Sequence, residues 1–169
     1  MAEINVDIVM TSISRALKAA HPASKAHATS VPQDFDAPAF FIRNIAGPKS
    51  SLAGYVHVGE QQIARSARHR RSPVYEITYF PGSELEHEQA AECRLVQELL
   101  YEVLEMIETP GGDLLSGRNI EGKVIDNVLV MTVAYPYNVV RTERAPPMEE
   151  LRFTVPGLPT ITYEEENHE

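Results

Sequence analysis

The chain has 169 residues, which fits one domain that can bury a sizeable hydrophobic core. Its formal net charge of −9 argues against general affinity for nucleic acid, because non-specific binding needs cations that neutralise phosphates. No apolar run approaches the roughly 18 residues of a membrane span, and the N-terminus lacks the pattern of a signal peptide. We therefore expect a protein made in the cytoplasm, with no membrane partner. Its single cysteine, Cys93, excludes an internal disulfide and argues against a thiolate zinc site.

The first third of the chain predicts one helix followed by two strands. Apolar residues at helical spacing predict a helix over residues 5–20, with Asn5 as its N-cap. A short strand is expected at residues 25–30, and the aromatic and β-branched residues of segment 39–46 predict another. Residues 47–72 carry a weaker pattern. They are read as a projecting hairpin or loop, or in part as an extension of the strand that follows.

The middle of the chain predicts a strand that turns into the longest helix. Residues 74–80 alternate, which places Tyr75, Ile77 and Tyr79 on one side of a strand. Ser83 precedes Glu86 by three residues, the spacing of a capping box at a helix N-terminus. The expected apolar stripe of this helix comprises Leu95, Val96, Leu99, Leu100, Val103, Leu104 and Ile107, and the helix is expected to stop at Thr109-Pro110-Gly111-Gly112.

A hairpin and an extended arm are expected to complete the chain. Asp126-Asn127 tolerate positive φ and join predicted strands at residues 118–125 and 128–137. Residues 139–169 are rich in proline and end in a run of glutamates, so we read them as an arm with an acidic end.

The order of these elements defines the fold class and the domain division. It predicts an α+β fold, a single domain whose mostly antiparallel β-sheet packs against two α-helices. The domain is expected to cover residues 1–138, with residues 47–72 projecting from it and the arm at 139–169 following it.

No residue pattern points to catalysis, a cofactor or a metal. Phosphate-binding, nucleophile-elbow and zinc-peptidase motifs are all missing from the sequence. No two histidines share a convincing helix face, and Cys93 and His87 are predicted on opposed sides of one helix. The glutamates at the start of that helix are better explained by the helix dipole and a solvated face than by metal binding. We expect a protein that is not an enzyme and has no cofactor.

A dense basic cluster is the one unusual charge feature. Arg65, Arg68, Arg70 and Arg71 surround His69. Three readings stand: contact with a partner or with a channel lumen, a solvated strand edge that deters aggregation, or sequence-specific binding to DNA. The last is disfavoured because residues 61–72 contain no aromatic side chain for base stacking.

Several passages together resemble one protein family. They are residues 31–45 (VPQDFDAPAFFIRNI), 74–83 (VYEITYFPGS), 95–108 (LVQELLYEVLEMIE), GKVIDNVLVMTVAYPYNV and MEELRFTV. In order and spacing these passages are similar to the tail terminator, or tail completion, proteins of tailed bacteriophages. The resemblance spans most of residues 12–155, and the sequence departs from it in the arginine-rich insertion and the acidic C-terminus.

The resemblance implies a structural virion protein that ends tail-tube polymerisation and joins the tail to the head or neck. It also implies a homo-oligomeric ring, a hexamer, around the DNA channel. Its expected partners are further copies of itself, the tail-tube protein, a neck or connector protein, and genomic DNA that passes through without sequence-specific binding. It would lie at the tail/neck junction of the virion after assembly in the host cytoplasm.

A ring needs two different surfaces that meet head to tail, which fits a chain that carries a basic patch and an acidic arm. The hypothesis is that the arm from Val139 onward reaches the neighbouring subunit near residues 65–71. The candidate contact residues are Arg65, Arg68, Arg70, Arg71, Met148, Glu149, Glu150, Leu151 and Phe153. The alternatives are a head-to-tail connector or neck protein, a nucleic-acid-binding regulator, and a small enzyme.

Overall fold

A computed structural model describes residues 4–28, 35–57, 64–144, 152–153 and 161–162. In chain order the elements are α1 Val6–Ala20, β1 Lys25–Ala28, β2 Ala39–His57, β3 Ala64–Phe80, α2 Glu86–Glu105, β4 Met106–Glu108, β5 Leu114–Ser116, β6 Arg118–Ile125, β7 Val128–Ala134, β8 Tyr137–Arg144, β9 Arg152–Phe153 and β10 Ile161–Thr162. They form a single α+β domain with a mixed, mostly antiparallel sheet and two helices, which confirms the predicted fold class.

The main sheet is organised around the long strand β3. Its order is β1-β2-β3-β7-β6, with β1 parallel to β2 and the other pairs antiparallel. Strand β3 pairs with β7 from Val74 to Tyr79 and with β8 from Ala64 to Arg71. Strands β2, β3 and β8 therefore continue past the part of the sheet that β7 shares. Residues 47–57 of β2 and 64–72 of β3 belong to an antiparallel pair, which confirms the hairpin reading, and residues 58–63 lie outside the described residues.

Both helices pack on one face of the sheet, where the core lies. The side chains of Tyr75, Ile77 and Tyr79 are fully buried on that face, as the alternation predicts. Asn5 caps α1, because its Oδ1 accepts the backbone N–H of Ile8 at 2.9 Å.

Two buried tyrosine hydroxyls tie the helices to the sheet. The Tyr75 hydroxyl donates to the carbonyl oxygen of Val6 at 3.3 Å, at the start of α1. The hydroxyl of Tyr135, which follows β7, donates to the carbonyl oxygen of Leu104 at 2.9 Å, near the end of α2. Burial raises the pKa of both hydroxyls, so they stay protonated as donors.

The start of α2 differs from the predicted capping box. The N-cap is Leu85, and it makes no side-chain capping hydrogen bond. Ser83 instead donates its backbone N–H and its hydroxyl to Oε2 of Glu92, at 3.1 and 2.6 Å. The other oxygen of Glu92 accepts from the Tyr79 hydroxyl at 2.5 Å and from the Gly82 N–H at 3.0 Å. The predicted capping box is wrong because the carboxylate of Glu92, nearly two turns further into the helix than Glu86, accepts the donors of the preceding loop.

The predicted stripe of α2 is too wide, and the helix ends earlier than expected. The buried line is narrower and consists of Cys93, Val96, Leu100 and Leu104. Leu95 is 75% exposed. Ile107 is buried, but it lies in strand β4 and not in the helix. The chain turns extended at Met106, and β4 pairs with β5 in a small hairpin that the sequence analysis missed. Gly117 follows β5, and a Cβ there would collide with the carbonyl oxygen of Leu104.

The opposite face of the sheet carries no helix in the described part of the chain. Alternate residues of β3 from Arg68 to Phe80 point to this face, which we call the open face. Near the core, Arg43 and Glu76 pair across β2 and β3 at 2.6 Å. At one end Phe80 packs with Phe35 and Phe41, with ring centroids 4.9 and 5.3 Å away.

The β6–β7 hairpin follows the prediction, and the segment after it does not start as a free arm. Asp126 and Asn127 have φ of 48° and 61°, as a tight primed turn requires. After Pro136 the chain enters β8, which pairs with β3 of the same chain through Arg144. Residues 139–144, the first part of the expected arm, therefore lie in the main sheet. From residue 145 onward, the expected arm stays a prediction.

Candidate interaction surface

The structure separates the arginine cluster into two faces. Arg68 and Arg70 are exposed on the open face, while Arg71 is half-buried on the helix-facing side. This split follows from the strand, because successive side chains point to opposite faces. The backbone of Arg65 pairs with Glu143 in the same ladder, and its side chain lies outside the described atoms.

A polar cavity of about 270 Å³ lies against Arg68 and Arg70. Its lining consists of Ala53, Arg68, Arg70, Pro136, Tyr137 and Asn138. Strand β8 supplies the neighbours on the open face, since Val140 lies opposite Arg68 and Asn138 lies opposite Arg70. Both β8 residues are exposed. We call these four residues, Arg68, Arg70, Asn138 and Val140, the arginine face.

The cations of the arginine face are uncompensated within the described residues. Neither guanidinium makes an ion pair or a hydrogen bond there, whereas Arg43 on the same open face is paired with Glu76. An unpaired surface arginine keeps five donors available for carboxylates or phosphates. This part of the sheet is therefore suited to bind an anionic partner.

The remaining predicted contact residues belong to the expected arm. Met148, Glu149, Glu150 and Leu151 lie outside the described residues. Phe153 lies in β9, whose backbone pairs with Ile161 of β10. Whether these residues contact a partner stays a prediction.

A second exposed surface, on α2, was not predicted from the sequence. Leu95, Glu98 and Glu102 lie on one side of the helix and are exposed. At about 100° per residue, Glu98 and Glu102 each lie about 160° from Leu100, on the side opposite the buried line. We call these three residues the glutamate ridge. A helical projection centred on Cys93, Val96 and Leu100 would have revealed it, but the wide predicted stripe placed Leu95 in the core.

No arrangement for metal binding or nucleophilic chemistry is found in the parts of the chain that the structure describes. No group of three or more potential metal ligands occurs there. Burial raises the pKa of the Cys93 thiol, which points to the carbonyl oxygen of Asn127 at 3.3 Å. A protonated, buried thiol is a poor nucleophile. Nor is any described helix long and apolar enough to cross a membrane.

Comparison with known proteins identifies the class. A family model for the phage tail terminator protein matches residues 8–147. The fold and this match define a structural component of a phage tail, and hence of a virion. The chain belongs to the phage tail terminator family, which confirms the resemblance.

Other comparisons add little. No curated protein matches the chain. One protein of solved structure is 11% identical, with a match that covers 85% of this chain and 99% of that one at a TM-score of 0.37.

Proposed function

We propose that this protein ends the polymerisation of the phage tail tube and forms the surface that joins the tail to the head or neck. The observation that carries the proposal is its membership of the tail terminator family over residues 8–147. In this role it acts as a structural part and not as an enzyme.

The working form is a homo-oligomeric ring, a hexamer, around the channel through which the DNA passes. A ring of identical subunits needs heterologous contacts, in which one surface of a subunit meets a different surface of the next. The arginine face and the glutamate ridge support this form because they are unlike surfaces of opposite charge on one chain.

The partners in the virion are the tail-tube protein on one side of the ring and a neck or connector protein on the other. DNA contributes no sequence-specific contact. A net charge of −9 supports this, because a channel that held phosphates tightly would hinder the passage of DNA. We also propose that Met148–Phe153 contact a neighbouring subunit or one of these partners.

The mass and symmetry of the purified protein test the ring. We expect light scattering to give about six times the 18.8 kDa chain mass, and negative-stain images to show rings with a central opening. Deletion of residues 147–169 tests the arm separately: a folded protein that no longer forms rings supports a role for the arm, and an unchanged ring mass excludes it. A compact monomer at every concentration, alone and with the tail-tube protein, contradicts the ring.

A further inference from the structure

The arginine face is an exposed part of a sheet with a defined pattern of charge. Arg68 and Arg70 are alternate residues of β3, so their Cα atoms lie about 6.7 Å apart along the strand. Val140 lies opposite Arg68 on the adjacent strand, about 4.8 Å across, and is 51% exposed. The surface thus presents two cations in a row with an apolar side chain beside the first.

The glutamate ridge carries the complementary pattern at nearly the same spacing. Glu98 and Glu102 are one helical turn apart, about 6 Å along the axis of α2. Leu95 lies one turn before Glu98, about 4.5 Å along the axis, and is 75% exposed. The ridge thus presents two carboxylates in a row with an apolar side chain beside the first.

Neither carboxylate of the ridge is compensated within its own described chain. Glu98 and Glu102 make no ion pair or hydrogen bond to any described residue. Nor can they reach Arg68 or Arg70 of the same molecule, since the ridge faces away from the sheet on the helix side and the arginines point from the open face. The two patterns can meet only between two copies of the chain.

We propose that the glutamate ridge of one copy docks on the arginine face of the next, which makes it the repeated head-to-tail contact of the ring. Glu98 pairs with Arg68, Glu102 pairs with Arg70, and Leu95 packs against Val140. The polar cavity beside Arg68 and Arg70 receives the carboxylates. This inference rests on the proposed ring and names the surfaces that close it.

Two other anionic groups compete for the arginine face. The arm of a neighbour carries Glu149 and Glu150, and DNA offers phosphates. The helix is favoured because α2 holds its two carboxylates at a fixed spacing that matches the arginines, and because Leu95 provides an exposed apolar partner for Val140.

Charge reversal on each side, followed by exchange, tests the contact. R68E/R70E and E98R/E102R should each reduce the ring to monomers in light scattering, because like charges then face each other across the contact. In an equimolar mixture of the two double variants, a ring with alternating subunits has only complementary contacts, half of them wild-type and half reversed, so the mixture should assemble. In the quadruple variant R68E/R70E/E98R/E102R every contact is reversed and complementary. We expect the quadruple variant to form rings again. Recovery of assembly also shows that the substituted chains fold.

A matched control carries the same change in charge at another exposed site. Arg15 and Lys18 lie on the solvent side of α1, and R15E/K18E should leave the ring mass unchanged. R68E/R70E can also be mixed with E149R/E150R. If this mixture assembles and the mixture with E98R/E102R does not, the arm occupies the arginine face and the inference is wrong. Rings that persist in R68E/R70E but lose salt-dependent affinity for duplex DNA would assign the face to phosphates instead. Either result would overturn the proposed docking contact and leave the proposed ring intact. A wild-type protein that never assembles would contradict both the ring and the docking contact.

Discussion

The carboxylate of Glu92 accepts four hydrogen bonds from three residues that precede α2. Tyr79 and Gly82 donate to one oxygen, and Ser83 donates twice to the other. The bonds hold the end of β3 and the following loop against the second turn of the helix. One partly buried charged group therefore satisfies the donors of this loop and fastens the loop to the helix.

Replacing this carboxylate should weaken the fold. Glu92→Gln removes the charge and turns one acceptor into a donor that faces existing donors. We expect the free energy of unfolding in urea to fall by about 1 to 3 kcal/mol. Glu88→Gln is the control, because Glu88 is exposed on the same helix and its replacement should change the value by less than about 0.5 kcal/mol. Equal effects of the two substitutions would contradict the role of Glu92.

The contribution of Glu92 should depend on pH in a defined direction. Burial raises its pKa, but the hydrogen bonds from Ser83, Tyr79 and Gly82 outweigh burial and bring the pKa below its ordinary value of 4.5. A carboxyl with a lowered pKa in the folded state stabilises the fold above its unfolded pKa and loses that effect as the pH falls through the folded one. The stability difference between wild type and Glu92→Gln should therefore be constant near neutral pH and shrink below about pH 4.5. Urea titrations across this range measure it, and a difference that stays constant would contradict the account.

Sequence spacing could not predict this anchor. Ser83 and Glu86 match a capping box, and that local pattern needs no knowledge of the fold. The bond from Ser83 to Glu92 depends on how the loop folds back along the helix, which no fixed spacing encodes. Asn5, by contrast, caps α1 as predicted, because its partner is three residues away in a regular helix.

At the level of elements, α2 has two distinct sides with different roles. The side with Leu100 packs on the sheet, and the side with Leu95 faces solvent. Leu100→Ala should lower the free energy of unfolding by about 2 to 5 kcal/mol, because it leaves a cavity under the helix. Leu95→Ala should change it by less than about 0.5 kcal/mol. Chemical denaturation of both variants measures the contrast. Similar losses in the free energy of unfolding would indicate that Leu95 is part of the core.

The elements were predictable where the pattern was local and regular. Alternation in β3 and the Asp126-Asn127 turn gave the correct strands and the correct hairpin. The prediction failed where pairing is long-range: β8 follows Pro136 and looks like the start of an arm, yet it continues along β3. The partner of a strand depends on residues far away in the chain, and a proline break hides its continuity.

The whole molecule combines a closed side and an open side. Two helices cover one face of the sheet, and the other face carries the arginines without a covering element in the described residues. The fold class and the family followed from the sequence because the order of elements is a global pattern. The opposed charges of the arginine face and the glutamate ridge did not follow from the sequence. Recognising them requires knowing both which side chains of β3 point to the open face and which side chains of α2 point to solvent.

Electron microscopy of tail tubes tests whether this protein terminates the tube as a ring. Purified tail-tube protein is polymerised with and without this protein, and the ends and lengths of the tubes are recorded. We expect a ring at one end of each tube and a halt to further growth at that end. Tubes that keep growing, with bare ends in the presence of excess protein, would contradict it.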